Sequence, residues 1–417
     1  MIKSMIKGTS SILMFKVISA ACSFLTNILI AKIYGPEIYG EYSLVYSIIQ
    51  IAVLFNLAGL DIYVIKVINE AHDKLTAKSF LLKAFKTVIN LGISMVIVML
   101  VLSNFINSNL FHNKLIYIVV SLGLMIAFYS FVKFMGSVFR AHGDIIYFSI
   151  MDGLIFQLPI FTIFLCFYYY NYSVIHPTWI MYAGIAFGAF TAFFICLKFF
   201  KREYKSIKGE KKYTEKILKY SFPMMLTSSV IYIMGYLDTF FISDLMDNYH
   251  VGLYSGIVRL SLPLTFLSAS LSGYIVPKIS KAFGKNDLKE VKKIYKSSIF
   301  ILFSSGLVII SIYFFFPTQI LGLFGKGYES QVSAFRIYTL STFLSGALFG
   351  PIGYFLVLTN LQKEFLYILI ITLVINVVLN YLLIPKMGIS GSAVAILVAT
   401  VFRKLVGFLL LKYKGVF

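Results

Sequence analysis

Long apolar runs separated by short polar connections recur along the whole chain. A helix crosses a ~30 Å hydrocarbon core with about 20 apolar residues, and about twelve segments reach that length. They fall near 10–33, 41–63, 84–104, 115–137, 145–169, 178–198, 218–242, 251–276, 297–317, 333–358, 364–385 and 390–411. Lipid offers backbone groups no partner, so such runs are read as helices. The first run starts near Ser10 and shows no small-residue cleavage site, so it reads as a retained helix rather than a signal peptide. The pattern predicts an all-α integral membrane protein without a soluble domain.

Composition agrees. The 417 residues are 59% hydrophobic and only 13% charged, against about 25% charged in soluble domains. A net charge of +20 would suit nucleic acid if the cations were pooled on one domain, but they are spread over short loops, so no nucleic-acid partner is expected. One set of alternate loops holds Lys3 and Lys7, Lys66 to Lys86, Lys133 and Arg140, Lys198 to Lys219, Lys278 to Lys296, Lys363, Lys412 and Lys414. The opposite set offers only Lys32, Lys114, Lys326, Arg336 and Lys386. The positive-inside rule therefore predicts a multi-pass protein with both termini in the cytoplasm. Cys22, Cys166 and Cys196 lie in apolar segments and read as small core residues, not a disulfide framework.

The longest connection, KREYKSIKGEKKYTEK, divides the chain into 1–198, a basic cytoplasmic linker at 199–217, and 218–417. Each flanking part holds about six of the apolar segments. Gly40-Glu-Tyr42-Ser43 opens the second segment and Gly252-Leu-Tyr254-Ser255 opens the eighth. At the same offset Val64 aligns with Val276 and Lys66 with Lys278. Both copies run in the same direction, which predicts two parallel six-helix lobes related by pseudo-twofold symmetry around a central cavity.

Catalytic chemistry finds no footing in the sequence. There is no GxxxxGK[ST] phosphate loop, the histidines are scattered, and neither HExxH nor CxxC spacing occurs. The reading is not an enzyme, with no catalytic residue, no cofactor and no metal; it moves something rather than makes it.

Arg259 stands out, because its predicted segment contains no acidic residue and it lies about eight residues deep, roughly 12 Å at 1.5 Å per residue. A guanidinium there costs about 2.5–3.5 kcal/mol on insertion scales, so it calls for an anion or a wet cavity. Gly252, Ser255, Gly256, Pro263, Phe266 and Ser270 share roughly its face, as a cavity wall would. The plainer reading pairs Arg259 with a structural carboxylate such as Asp238. Lys16, about one and a half turns into the first segment, is either a snorkelling cation or a ligand contact. Asn27, Gln50 and Asn56 are interhelical glue or ligand contacts. Asp152 would carry a proton or pair with Lys133 or Arg140, and Asp238 suits a structural, gating or coupling role. Asp61 and Lys66 read as interfacial. Tyr168, Tyr169, Tyr170, Tyr172 and Trp179 form an aromatic belt.

Several stretches resemble the O-antigen flippases, the polysaccharide transporter group of the multidrug/oligosaccharidyl-lipid/polysaccharide exporter superfamily. They are Ala31 to Ser43, Lys219-Tyr-Ser-Phe-Pro223 with Tyr236-Leu-Asp238, Gly252 through Arg259 to Ser280, and Asn380 to Ala393. The resemblance implies alternating access and transfer of an undecaprenyl-pyrophosphate-linked oligosaccharide, for O-antigen or another surface polysaccharide, to the outer leaflet. It implies a bacterial inner-membrane location among membrane lipids, with a polysaccharide polymerase and a chain-length regulator as partners. Arg259 matches an arginine that faces the cavity in the related peptidoglycan-precursor flippase. That relative's first helix carries arginines and an aspartate where this chain has Thr26 and Asn27, with Lys16 nearer the cytoplasm. On this reading Arg259, Lys16, Asn27 and Ser255 bind substrate, while Asp152 and Asp238 serve coupling or gating. The alternatives are a cation-coupled drug exporter of the same superfamily and a membrane polysaccharide polymerase.

Overall fold

Two apolar runs join without a loop at the start of the chain. In the computed structural model, which describes residues 2–71, 73–111, 113–204, 216–285, 287–347 and 350–416, helix α1 extends over Ile2–Leu57 and is interrupted only at Gly35. Gly35 has φ 79°, in the left-handed region, and Pro36 follows it. Glycine takes that conformation without the Cβ penalty, and proline, lacking an N–H, opens a new helical turn. The helices predicted at 10–33 and 41–63 thus meet at a two-residue corner. At the far end Ala58 and Gly59 both have positive φ and turn the chain into α2, Leu60–Glu70.

The first compact unit comprises 1–34 and 41–232. It continues with α3 (Lys74–Phe111), α4 (Ile116–Ala141), α5 (Ile145–Ser149), a π-helical turn at Ile150–Leu154, α6 (Ile155–Tyr169), α7 (Pro177–Tyr204) and the first part of α8 (Ile217–Leu245). Its surface inverts the soluble pattern. On α3, Ile93, Ile97, Val101 and Phe105 form an exposed stripe at four-residue spacing, while Ser103 and Asn107 are buried. Such a face suits hydrocarbon, and the polar groups turn inward to find partners. Tyr169 and Tyr170 are 79% and 75% exposed beside the α6 end, as an interfacial belt requires. The two units part after Tyr232, inside α8, rather than at the basic connection. Tyr220 stacks on Tyr63 at 6.1 Å, and Gly59 lies against the Ser221 carbonyl, which ties the start of α8 to the first unit. Residues 199–204 belong to α7, and 205–215 of the basic linker lie outside the described residues.

The second unit comprises 35–40 and 233–417. It holds the rest of α8, then α9 (Asn248–Leu260), α10 (Leu262–Gly284), α11 (Leu288–Phe315), α12 (Pro317–Leu321), α13 (Val332–Ala347), α14 (Ile352–Leu358), α15 (Gln362–Met387) and α16 (Ile389–Tyr413). One core joins Ile275 and Ile279 of α10, Ile294 and Tyr295 of α11, and Phe355 of α14. Cys22, Cys166 and Cys196 are free thiols.

Among the described residues, eight helices are long and apolar enough to cross a membrane, or ten if two bent pairs each count as one span. Twelve were expected. The first two expected spans run into one another through Gly35, and the tenth is divided between α13 and α14 near Gly350 and Pro351. The segment expected at 251–276 is broken as well: α9 and α10 meet at Ser261 with a 42° bend, and Pro263 sits in the first turn of α10. Proline is at home in that turn, because the N–H it lacks would have no intrahelical partner there. No strand occurs among the described residues.

Candidate functional site

A cavity of 350 Å³ opens within the first unit. Its charged lining is Lys16 of α1, Asp61 of α2, Lys133 and Arg140 of α4, and Asp152 of the π-helical turn. Gln50, Tyr129, Phe148 and Tyr232 add amide, hydroxyl and ring surface. Three cations therefore face two carboxylates.

Asp152 is the hub. Its Oδ1 lies 3.2 Å from the Lys133 Nζ and its Oδ2 lies 3.3 Å from the Lys16 Nζ. Lys133 also donates to the main-chain carbonyl of Asp152 at 2.7 Å. Such charge-assisted bonds are the strong kind, although these side chains remain partly accessible. The π-helical turn explains the placement. Within it Gly153 leaves helical geometry, with an extended φ of 176°, and the turn carries Asp152. A Cβ on Gly153 would stand 2.7 Å from the Ser19 Oγ, so glycine lets α1 approach the turn closely. Insertions of this kind are frequent at functional positions in helices.

Rings organise the remaining charges. The Lys16 Nζ lies 5.7 Å from the Phe148 ring centre, and the Arg140 guanidinium carbon lies 5.4 Å from it. The Lys133 Nζ lies 5.6 Å from the Tyr129 ring, within cation–π range. Gln50 donates to the Tyr129 hydroxyl at 3.1 Å, and the Tyr129 ring stacks on Phe156 at 4.8 Å.

The second unit holds a different arrangement. Asp238 of α8 is buried and accepts three bonds from neutral donors. The Tyr254 hydroxyl donates to Oδ2 at 2.7 Å; the Asn380 and Asn376 amides donate to Oδ1 at 2.7 and 3.3 Å. The Oδ1 atoms of Asn376 and Asn380 are buried without a hydrogen-bond partner. Asp238, considered from sequence as a partner of Arg259, is held among the described residues by Tyr254, Asn376 and Asn380. Arg259 instead occupies the last turn of α9, half-buried, where its charge complements the terminal carbonyls. Tyr338 lies within electrostatic reach of both Arg259 and Asp238, and its ring meets Tyr254 edge-on at 5.8 Å. On α16 two adjacent cations, Arg403 and Lys404, are half-buried, and Lys404 donates to the Gly350 carbonyl at 2.8 Å.

The structure brings Lys16, Gln50, Asp61 and Asp152 together in one cavity lining and places Asn27, Ser255, Asp238 and Arg259 outside it. Asn27 is buried and donates to the Ser23 carbonyl of its own helix at 2.6 Å. Ser255 is buried in α9. Its neighbours Gly252 and Gly256 are packing positions rather than cavity wall, with Gly256 against the Tyr328 ring. Lys133 and Arg140 entered the sequence reading chiefly as loop charges, and Tyr129 and Tyr232 did not enter it. A signal was present: Tyr129, Lys133, Gly136 and Arg140 repeat at three- and four-residue spacing along one face of an otherwise apolar helix. Arg403 and Lys404 lie inside the last apolar segment, where two adjacent cations are a further signal of the same kind.

Apolar helices in two compact units, one holding a charged cavity, define an all-helical membrane fold. The solved lipid II flippase MurJ, in an inward closed conformation, superposes with a TM-score of 0.75 at 18% identity, over 96% of this chain and 87% of that one. The family model "Polysaccharide biosynthesis protein" matches residues 5–283, and the chain belongs to that family. A second model, MatE, matches residues 223–382. The capsular polysaccharide biosynthesis protein CapF of Staphylococcus aureus is 22% identical over 95% of this chain and 96% of its own length. An uncharacterized membrane protein of Methanocaldococcus jannaschii is 30% identical over 48% of this chain. The match covers 46% of that relative, about half its length.

Proposed function

We propose that the protein is a flippase that moves an undecaprenyl-pyrophosphate-linked oligosaccharide from the cytoplasmic to the outer leaflet by alternating access. The observation that carries this reading is the cavity of the first unit, where Lys16, Lys133 and Arg140 converge beside tyrosine hydroxyls and an amide. A diphosphate must be neutralised before it leaves water, and cations in a polar cavity do so through charge-assisted bonds. Hydroxyl, amide and ring groups suit the attached sugars. Family membership and the names of the similar proteins support a polysaccharide precursor as cargo.

Arg259 is the second proposed contact to the diphosphate, and Asp238 the coupling or gating carboxylate. The protein works without catalysis in a bacterial inner membrane, with both termini cytoplasmic, and supplies a polymerase and its chain-length regulator. Transport of a cationic drug is a second reading, favoured by Asp61 in the cavity lining and by the MatE match. Deleting the gene and analysing lipid-linked intermediates decides between them. Complete repeat units held on the cytoplasmic leaflet support the flippase. An unchanged lipid pool with increased drug sensitivity supports the exporter, and accumulation on the outer leaflet points to a polymerase.

A further inference from the structure

In the first unit, the strongest anion position of the cavity is already filled by the protein. Both carboxylate oxygens of Asp152 are engaged, one by Lys133 and one by Lys16, in the way a phosphate group would engage the same two ammonium groups. The arrangement is specific. The π-helical turn presents Asp152, Gly153 lets Ser19 of α1 come into contact with the turn, and Lys133 is held separately by the main-chain carbonyl of residue 152. If the carboxylate swings away, that carbonyl bond keeps the Lys133 ammonium where it is. The cluster is also within reach of a ligand, because the Lys16, Asp152 and Lys133 side chains are 50%, 35% and 26% exposed.

We infer that Asp152 is an internal counter-ion that exchanges with the substrate's diphosphate. The exchange deepens the flippase reading and rests on it. When the diphosphate enters, it takes Lys16 and Lys133 from the carboxylate. Its higher charge and larger number of oxygens compensate for the pair that is broken. When the carboxylate returns, it competes for the same ammonium groups and displaces the diphosphate. The cavity therefore never holds two adjacent ammonium groups without a counter-ion, whose mutual repulsion would otherwise stand uncompensated. The competition also lowers affinity, so that the cargo is released rather than trapped.

The test uses the full-length protein in nanodiscs and inorganic pyrophosphate as the probe, with binding followed by titration calorimetry. Asp152→Asn keeps the side chain's size and removes its charge, and should bind pyrophosphate about tenfold more tightly than the unaltered chain. Lys133→Met should lose binding in either background. Asp152→Ser serves as a second variant, and thermal unfolding of each confirms a folded protein. In cells, Asp152→Asn should flip more slowly because the diphosphate is held. Equal or weaker binding by both Asp152 variants, with binding still dependent on Lys133, overturns the exchange and leaves the flippase reading in place. Absence of pyrophosphate binding in every protein, together with an unchanged lipid-linked pool on gene deletion, overturns both.

Discussion

Gly40 and Gly252 pack backbone to backbone within the second unit. A Cβ on Gly40 would stand 2.8 Å from the Gly252 nitrogen, and one on Gly252 would stand 3.1 Å from the Gly40 nitrogen. The Asn248 carbonyl crowds the first position and the Pro36 carbonyl the second. The two glycines are the first residues of the two copies of the Gly-x-Tyr-Ser repeat, and they meet within the second unit. Small residues allow such close approach between membrane helices.

Replacing either glycine with alanine drives a methyl into backbone, which has no rotamer through which to yield. Gly40→Ala and Gly252→Ala should each cost about 3 kcal/mol or more, at the upper end of overpacking. The double variant should cost less than the two added together, because both disturb one contact. Yield after detergent extraction and thermal unfolding of the purified variants measure this. A melting temperature unchanged by Gly252→Ala would contradict the packing.

Lys133 should be more sensitive than its partly exposed position suggests. Lys133→Met removes a proposed diphosphate ligand and leaves Asp152 with Lys16 as its remaining ion-pair partner, while Lys133→Arg keeps the charge. Accumulation of cytoplasmic lipid-linked intermediates is expected for the first variant and much less for the second. The stability cost of the first should stay near 1 kcal/mol, because the pair is partly solvated. Normal transport by Lys133→Met would remove this residue from the site.

Arg259 tests the contribution of the second unit. Arg259→Gln and Arg259→Ala should both reduce flipping by about tenfold or more, the size of one lost charge-assisted bond. Arg259→Lys should recover part of it, since an ammonium keeps the charge but not the two-pronged geometry. Fluorescent or radiolabelled lipid-linked sugar in proteoliposomes gives the rate. Unimpaired transport in both neutral variants would rule out a role for Arg259 in carrying the diphosphate.

Asp238 anchors the buried junction of α8, α9 and α15. Tyr254→Phe deletes one bond to a buried carboxylate and should cost about 1.5–3 kcal/mol. Asp238→Ala should cost more, because the Tyr254 hydroxyl and the Asn376 and Asn380 amides each lose a bond at once, although the Asn380 amide keeps its bond to the Asn376 carbonyl. Thermal unfolding in detergent ranks the two, and a smaller loss for Asp238→Ala would show that the three donors find other partners.

The sequence by itself determined that this chain lies in a membrane as helices, because lipid gives backbone groups no partner and long apolar runs meet that demand locally. It also marked Lys16, Asp152 and Asp238 as out of place in such runs. Tertiary structure decided which of them meet. Lys16, Lys133 and Asp152 come from three separate elements, and their contact depends on a π-helical turn and on Gly153, neither of which alters hydropathy. Likewise, Ser261 caps α9 two residues beyond Arg259, so a cation expected deep in an unbroken helix lies instead beside a helix terminus. Hydropathy adds up along the chain, residue by residue. Ion pairs, corners and close glycine contacts are set by how helices pack, and that is decided between segments distant in sequence.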